Sequence, residues 1–519
     1  MNISSHNPNG PVVLVSRRIQ YSFPLSYAYL AGYLLHQNER VQVLFRQRDN
    51  SALVRQIMEL NPLLVGFGSL YPELQEIRNI INLLNEAGRR FPIVIGGQMV
   101  SPIPEFSLLV TGADFGVLGE GEIILYQLVS ALRNGDDPSD IKGLAIRQGN
   151  DVHLTGSGPF IRDLSQLPPV PYHLFPENEW LEIGRWYTMN CPQPHWRFTD
   201  RAINVHGGRG CPFQCNFCYY HSPPRYRPVD LMLSEAEESL KRFQGNMLYF
   251  SDDLVLGSPR RAKELVTGLA NLRQSISYSV STRFDILKRL DDDLLGQMKE
   301  TGCRIMGLGI ESGSDRILKI IGKNTTSEDI LQGLNRLKQV GILPTVSMMV
   351  GQVDETMDDI NESLKLMRQS VRENPNIQYS FTIMTPFPGS PVYRHIMTNG
   401  LLKDDKEFYD KYFSRGSTWN LVVNLSQLSD NEVLAVHAKM ESVYRQEQAN
   451  SMGRALRNLT SIRKTVSRLD KLVENRVIHR IPRKGIGARI LSLYSWVRNL
   501  VYSGLEDIDL MLRGFSRNT

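Results

Sequence analysis

Twice along this chain, short β-rich apolar runs alternate with helix-length segments, a pattern that parallel α/β sheets accommodate and few other architectures do. From about residue 11 to 135 the runs are VVLV, VQVLF, LLVGFG, PIVIGG and ADFGVLG, with helical stretches such as LSYAYLAGYLL between them. From about 201 to 395 they are AINVHGG, MLYFS, YSVST, IMGLGI, PTVSMMVG and YSFTIM. Parallel neighbours need a crossover, usually a helix, so the spacing predicts an open, doubly wound sheet followed by a second β/α array. Six β/α units in that second array suggest an incomplete barrel with chemistry at the strand C-termini.

The stretch 136–200 is rich in Pro, Asp and Trp (LPPVPYHLFP, NCPQPHWRF) and reads as a linker wrapping between the two arrays. From about 396 to 519 the pattern turns helical and then basic, the last part carrying 14 Lys+Arg against 5 Asp+Glu after residue 450 within a chain of net charge +5. The chain at 519 residues is long enough for two or three domains. Its N-terminus lacks a basic segment ahead of the first apolar run, and no stretch reaches the roughly 18 consecutive apolar residues of a membrane span. Five cysteines, three of them crowded together, are not a secreted disulfide framework; a reducing cytoplasm fits them.

Those three are Cys211, Cys215 and Cys218, directly after the first strand of the second array, on a loop opened by Gly207, Gly208 and Gly210. Three thiolates at this spacing can bind three irons of a 4Fe–4S cluster and leave the fourth iron without a protein ligand. Taken alone they also admit zinc, with His206 or His221 as a fourth ligand. Cys191 reads as a small buried hydrophobe or a spare thiol, and Cys303 as core.

Here the chain resembles the radical S-adenosylmethionine (SAM) superfamily, whose hallmark is CxxxCxΦC with an aromatic residue, in this chain Phe217, before the last cysteine. The resemblance implies that the open iron chelates SAM and that electron transfer cleaves it to a 5′-deoxyadenosyl radical, and it decides for the cluster over zinc. It carries further positions over as SAM-binding: Asp252, or its neighbour Asp253, in YFSDD, Ser281 and Arg283 in the third strand's STR, and Gly309 and Glu311 in GLGIES. Met348–Thr356 resembles the family's GxPxET with Val353 in place of proline, and Thr385–Pro391 its PGTP segment; both read as architectural. No side chain is singled out as a catalytic acid, base or nucleophile.

A doubly wound, flavodoxin-like domain ahead of such a (β/α)6 partial TIM barrel resembles the cobalamin-binding domain of the B12-dependent radical SAM class. The matching elements supply candidate cobalamin contacts at Ser69, Leu70, Gly96, Gly97, Gly119, Glu120 and Gly121. Glycines after strands let backbone approach a flat ring or thread its nucleotide tail. The DxHxxG motif that gives cobalt a histidine is missing, since the first strand runs into Ser16-Arg-Arg-Ile-Gln.

Together these imply four regions: a cobalamin-binding-like domain over 1–135, the linker, the radical SAM barrel over 201–395 and the basic helical region over 396–519. The implied cofactors are a 4Fe–4S cluster, SAM and cobalamin. The implied activity is methylation of an unactivated carbon, with cobalamin as methyl carrier. The alternatives are a non-methylating oxidative cyclase or ring-rearranging enzyme, and a non-catalytic corrinoid or metal sensor. Expected partners are a small-molecule or lipid-like substrate and an electron donor such as flavodoxin or ferredoxin, without nucleic acid. The basic tail, with Tyr494 and Trp496 among alternating Arg and apolar residues, reads as a solvated helical face, a peripheral membrane contact, or, third, a nucleic-acid contact.

Overall fold

The computed structural model describes residues 7–17, 23–47, 49–176, 180–185, 196–219, 222–414 and 421–476, and isolated helical positions between 494 and 508. Cys191, His6, His221 and Trp496 lie outside the described residues.

The first sheet holds β1 (Val12–Ser16), β2 (Val41–Phe45), β3 (Leu64–Gly68), β4 (Ile93–Gly96) and β5 (Phe115–Val117) in the order 2-1-3-4-5, all parallel. Its helices are α1 (Leu25–His36), α2 (Ser51–Leu60), α3 (Leu74–Glu86), α4 (Pro104–Thr111) and α5 (Gly121–Asn134). Alternate strand residues face opposite ways. Val12 and Leu14 therefore pack with Tyr27, Ala31, Leu125 and Leu128 of α1 and α5, while Val13 and Val15 pack with Ile57, Ile77 and Ile81 of α2 and α3. Both faces are covered, which is why these strands read as continuous apolar runs instead of alternating ones.

Part of the stretch read as a linker belongs to this sheet. β6 (Leu144–Gln148) and β7 (Asp151–Leu154) form an antiparallel hairpin on β5, giving a seven-stranded sheet. Arg147 and Arg89 both pair with Asp114 beside it. An edge hairpin half open to solvent lacks the long apolar run that marked the other strands, so its sequence carries little of their signal. Pro168, Pro169 and Pro171 then lie against Gly32 of α1.

The second sheet has β8 (Ala202–Val205), β11 (Met247–Phe250), β12 (Ser277–Thr282), β13 (Cys303–Glu311), β14 (Leu343–Val350) and β15 (Gln378–Ile383), paired in sequence order and all parallel. It is the expected (β/α)6 arc. Between β8 and β11, the short antiparallel pair β9 (Gly208–Arg209) and β10 (Arg225–Tyr226) brackets the cysteine loop. The helices that follow are α6 (Val229–Phe243), α7 (Pro259–Ala270), α8 (Phe284–Leu287), α9 (Asp292–Glu300), α10 (Asp315–Ile320), α11 (Ser327–Val340) and α12 (Met357–Glu373). After β15 come α13 (Pro391–Thr398), α14 (Asp405–Ser414), α15 (Asp430–Ser451) and α16 (Arg454–Arg476).

The two sheets share packing. Tyr71, just after β3, is fully buried against Phe387, Phe408, Tyr412 and Phe413 from beyond the arc, with ring centroids 5.3–6.2 Å apart. Apolar contacts across two layers of this kind hold the two sheets together.

Candidate active site

The cysteine loop is tied down at both flanks. Gly207 donates its N–H to Asp252 Oδ1 at 2.7 Å, and Asn216 donates to Ile321 O at 3.1 Å and accepts from Val392 N at 3.0 Å. Gly210 has φ +75°, and a Cβ there would stand 2.4 Å from Ser222 O, so glycine is required where the loop turns. Cys211, Cys215 and Cys218 act electrostatically on one another, as thiols gathered at one place do. Burial of its sulfur pushes the Cys218 thiol up to about 11, although the residue as a whole is exposed; burial likewise raises Cys211, with Arg283 opposing it. Ligation removes those protons. Two cations stand ready for the resulting charge: Arg283, whose Nη1 lies 3.1 Å from Cys215 Sγ, and Lys323, which favours the Cys218 thiolate.

The donor set fits a cluster with one open iron: three soft thiols on one loop and cationic groups beside them. His206, the zinc ligand the sequence offered, is instead placed against Asp252 (3.9 Å) and the Tyr29 ring (5.3 Å). Among the described residues, no three His, Cys, Asp or Glu side chains close around a single ion.

Beside the loop, Glu311 ends β13 with φ +67°, at a register shift between β13 and β14. A non-glycine residue is rarely held there, and such backbone clusters at functional sites. Its carboxylate meets Lys323 Nζ at 3.0 Å and Ser347 Oγ at 3.1 Å, and Lys323 also donates to Gly309 O at 3.1 Å. A Cβ on Gly309 would lie 2.1 Å from Glu311 Oε1 and 2.7 Å from Lys323 Nζ, so glycine makes room for the pair. Arg283 is aligned by Asp285 at 3.0 Å and lies 3.8 Å over the Phe213 ring. Lys323 had no signal in the sequence, since it lies 12 residues past its partner and beyond a helix.

The remaining SAM-side candidates divide. Among the described residues, Ser281 Oγ makes long contacts to Asp252 O at 3.4 Å and Val255 N at 3.5 Å. Phe217 is half-buried against both apolar cores. Asp252 is engaged with the backbone of Gly207, and burial pushes its carboxyl up to about 7. Through that bond it ties the cysteine loop to the end of β11.

At the C-terminal edge of the first sheet, Gly97 has φ +84° and its absent Cβ would stand 2.8 Å from Ser69 O. Gly119 has φ +87° with nothing within 4 Å, and Leu70 is 53% exposed. Bare backbone, open space and an exposed apolar side chain at one strand edge suit a broad, flat ligand. Other candidates are engaged with protein: Ser69 donates to Glu73, and Gly121 packs under Leu30 of α1. Glu120 accepts from Arg225 and from Ile161 N (3.3 Å), and pairs with Arg209 at 3.1 Å. Burial alone would raise its carboxyl, but the two arginines hold it below its ordinary value.

Those arginines flank the cysteine loop on β9 and β10. Arg209 pairs with Glu122 as well, so the turn after β5 is bound to the cysteine loop. At the same junction, Gly389 (φ +89°) fits against Tyr219 and Pro102, where a Cβ would meet their side chains at 2.4 and 2.8 Å.

Residues 205–367 match the family described as the radical SAM superfamily, and residues 11–129 match the B12 binding domain. The chain belongs to the radical SAM superfamily and carries a B12-binding domain. As a cobalamin-dependent radical SAM enzyme it uses SAM, a 4Fe–4S cluster and cobalamin. It is 26% identical to an uncharacterized methyltransferase of Pyrococcus horikoshii over 73% of this chain and 79% of that one. It is 25% identical to the anaerobic magnesium-protoporphyrin IX monomethyl ester cyclase of Rubrivivax gelatinosus over 72% and 66%. The fold is shared with the radical SAM methyltransferase TsrM of Kitasatospora setae, solved with cobalamin and a 4Fe–4S cluster, at TM-score 0.61, 19% identity and 75% of each chain. In this radical SAM chain an enzymatic role replaces the sensor reading.

Proposed function

We propose that the chain methylates an unactivated carbon of a small-molecule or lipid-like substrate. One observation carries this: Arg209 and Arg225, which flank the cysteine loop, are ion-paired to Glu120 and Glu122 at the corrinoid edge. A substrate carbon held at that junction stands between the two cofactor sites. When bound, the cofactors supply reductive SAM cleavage and methyl carriage, chemistry that is theirs and not the protein's.

Each residue set has a task. Cys211, Cys215 and Cys218 hold the cluster, and Arg283 stabilises the Cys215 thiolate. Glu311, set by Lys323 and Ser347, presents a carboxylate to SAM, with Gly309, Ser281 and Phe217 lining the approach. Gly96, Gly97, Gly119 and Leu70 form the corrinoid edge. Electrons come from a donor such as flavodoxin or ferredoxin, and the basic C-terminal region meets a membrane surface. A four-part division at about 135, 200 and 395 fits these tasks, with the hairpin β6–β7 counted to the first sheet.

The likeness to the P. horikoshii methyltransferase supports methyl transfer, while that to the cyclase supports an oxidative ring closure as a second reading. Anaerobic reconstitution with methyl-deuterated SAM separates them. Methylation gives 5′-deoxyadenosine, S-adenosylhomocysteine and label in the product, all lost in Cys215→Ala. Ring closure gives 5′-deoxyadenosine without S-adenosylhomocysteine and an unlabelled product. Absence of 5′-deoxyadenosine from the loaded protein refutes both.

A further inference from the structure

The cofactor sites leave α16 without a task. This helix packs on the body by one stripe: Leu459, Arg463 and Ser467 are buried, and Asp470 pairs with Arg498 at 3.2 Å. A turn further along, Tyr502 stacks on Phe198 with centroids 4.4 Å apart. The rest of the helix surface is divided in two. At 100° per residue, Ile462, Leu469, Leu472 and Val473 share one exposed stripe, and each is 39–57% exposed. Arg457, Lys464 and Arg468 form the adjoining exposed stripe, with Lys471 half-buried at its border.

The only acidic side chain among those described on this helix, Asp470, is turned inward onto Arg498 and does not offset these charges. The helical positions beyond continue the apolar exposure at Val497, Val501 and Ile508. Half of the fourteen large hydrophobics that stand exposed in the described structure thus fall between residues 462 and 508. Scattered exposed apolar residues are ordinary on a protein surface; four of them on one face of a basic helix, with three more beyond it, are not.

We propose that α16 lies in the plane of an anionic lipid bilayer, its Ile462–Leu469–Leu472–Val473 stripe in the headgroup–acyl boundary and its Arg457–Lys464–Arg468 stripe on the lipid headgroups. A bilayer surface matches both stripes at once, whereas a phosphate backbone matches only the basic one. No described helix is long and apolar enough to cross a membrane, so the contact is peripheral. This names the lipid chemistry behind the membrane contact in the functional reading and rests on helix faces alone. The proposed reaction stands or falls separately, in the product assay.

The test is sedimentation of the full chain with vesicles of phosphatidylcholine alone and of phosphatidylcholine and phosphatidylglycerol in equal parts. Binding is expected to the anionic vesicles only, weakened by salt. Lys464→Glu with Arg468→Glu removes two cations, each worth roughly fivefold in partition, and the reversal adds repulsion, so the loss is expected to exceed about twentyfold. Leu469→Ser with Leu472→Ser is expected to lower partition at least tenfold, with iron and corrinoid content unchanged. Both pairs are exposed, so neither threatens folding. No vesicle binding, equal binding to neutral vesicles, a dimer abolished by Leu469→Ser, or binding to duplex DNA in place of vesicles would each overturn the proposal.

Discussion

Replacing Lys323 by methionine isolates the pair at the centre of the SAM side. Methionine keeps the stem's volume and removes the ammonium, leaving the Glu311 carboxylate buried, with 9% of its side chain exposed and only Ser347 Oγ at 3.1 Å as a described hydrogen-bond donor. Breaking one partner of a buried pair costs about 3–5 kcal/mol. The surviving hydroxyl bond offsets about 1 kcal/mol of that, and the loss of the bond to Gly309 O adds a comparable amount. The net expectation is about 4 kcal/mol, which lowers the barrel's calorimetric transition by roughly 8–16 °C. Glu311→Gln in the same background removes the orphaned charge, so the double variant is expected to regain about 2 kcal/mol, a coupling a double-mutant cycle measures directly. SAM affinity falls in both. If Lys323→Met shifts the transition by less than a degree or two, or if the two substitutions add, the ammonium is not what stabilises Glu311.

Gly309→Ala places a Cβ 2.1 Å from Glu311 Oε1, so SAM binding by equilibrium dialysis is expected to weaken at least tenfold while iron content stays at the wild-type level. Gly97→Ala forces a side chain onto φ +84° and within 2.8 Å of Ser69 O, a strain of about 1–3 kcal/mol, and is expected to lower bound corrinoid without lowering iron. Glu355 is fully buried, and burial pushes its carboxyl from 4.5 up to about 7 against two backbone N–H bonds from Gly351 and Gln352. The folded state therefore holds that proton to higher pH than the unfolded chain, and wild-type stability falls on the order of 3 kcal/mol as pH rises from about 4.5 to about 7. Glu355→Gln is expected to flatten that fall in denaturant titrations at pH 5 and pH 8, and parallel curves would show that the carboxyl does not titrate there.

The parallel strands of both sheets, the cysteine loop and the Glu311 segment were legible because each is written in consecutive residues: an apolar run, a spacing, a short motif. What escaped is set by long-range pairing. Lys323 becomes a site residue only because α10 returns it to the end of β13. Asp252 sits where an acidic residue was expected, and its bond to the Gly207 amide, 45 residues away, is a pairing that no short motif encodes. The hairpin β6–β7 passed as linker because an edge pair exposed on one face needs few apolar residues.

Glu120 and Glu122 show the same limit with a functional consequence. In the sequence the Gly119–Glu122 turn reads as a cofactor contact; its carboxylates also pair with Arg209 and Arg225, 87 and 105 residues away, and no local pattern links them. Buried ion pairs of this kind add little net stability, because desolvation offsets most of the attraction. The apolar junction of Tyr71 with Phe387, Phe408 and Tyr412 already supplies the adhesion between the sheets. What two carboxylates and two guanidiniums add is register: an apolar contact tolerates sliding, whereas a bridged arginine accepts few positions. The turn after β5 is thereby fixed to the strands that bracket the cysteine loop, and a reaction whose substrate sits between two cofactors depends on that distance more than on the affinity of either sheet for the other.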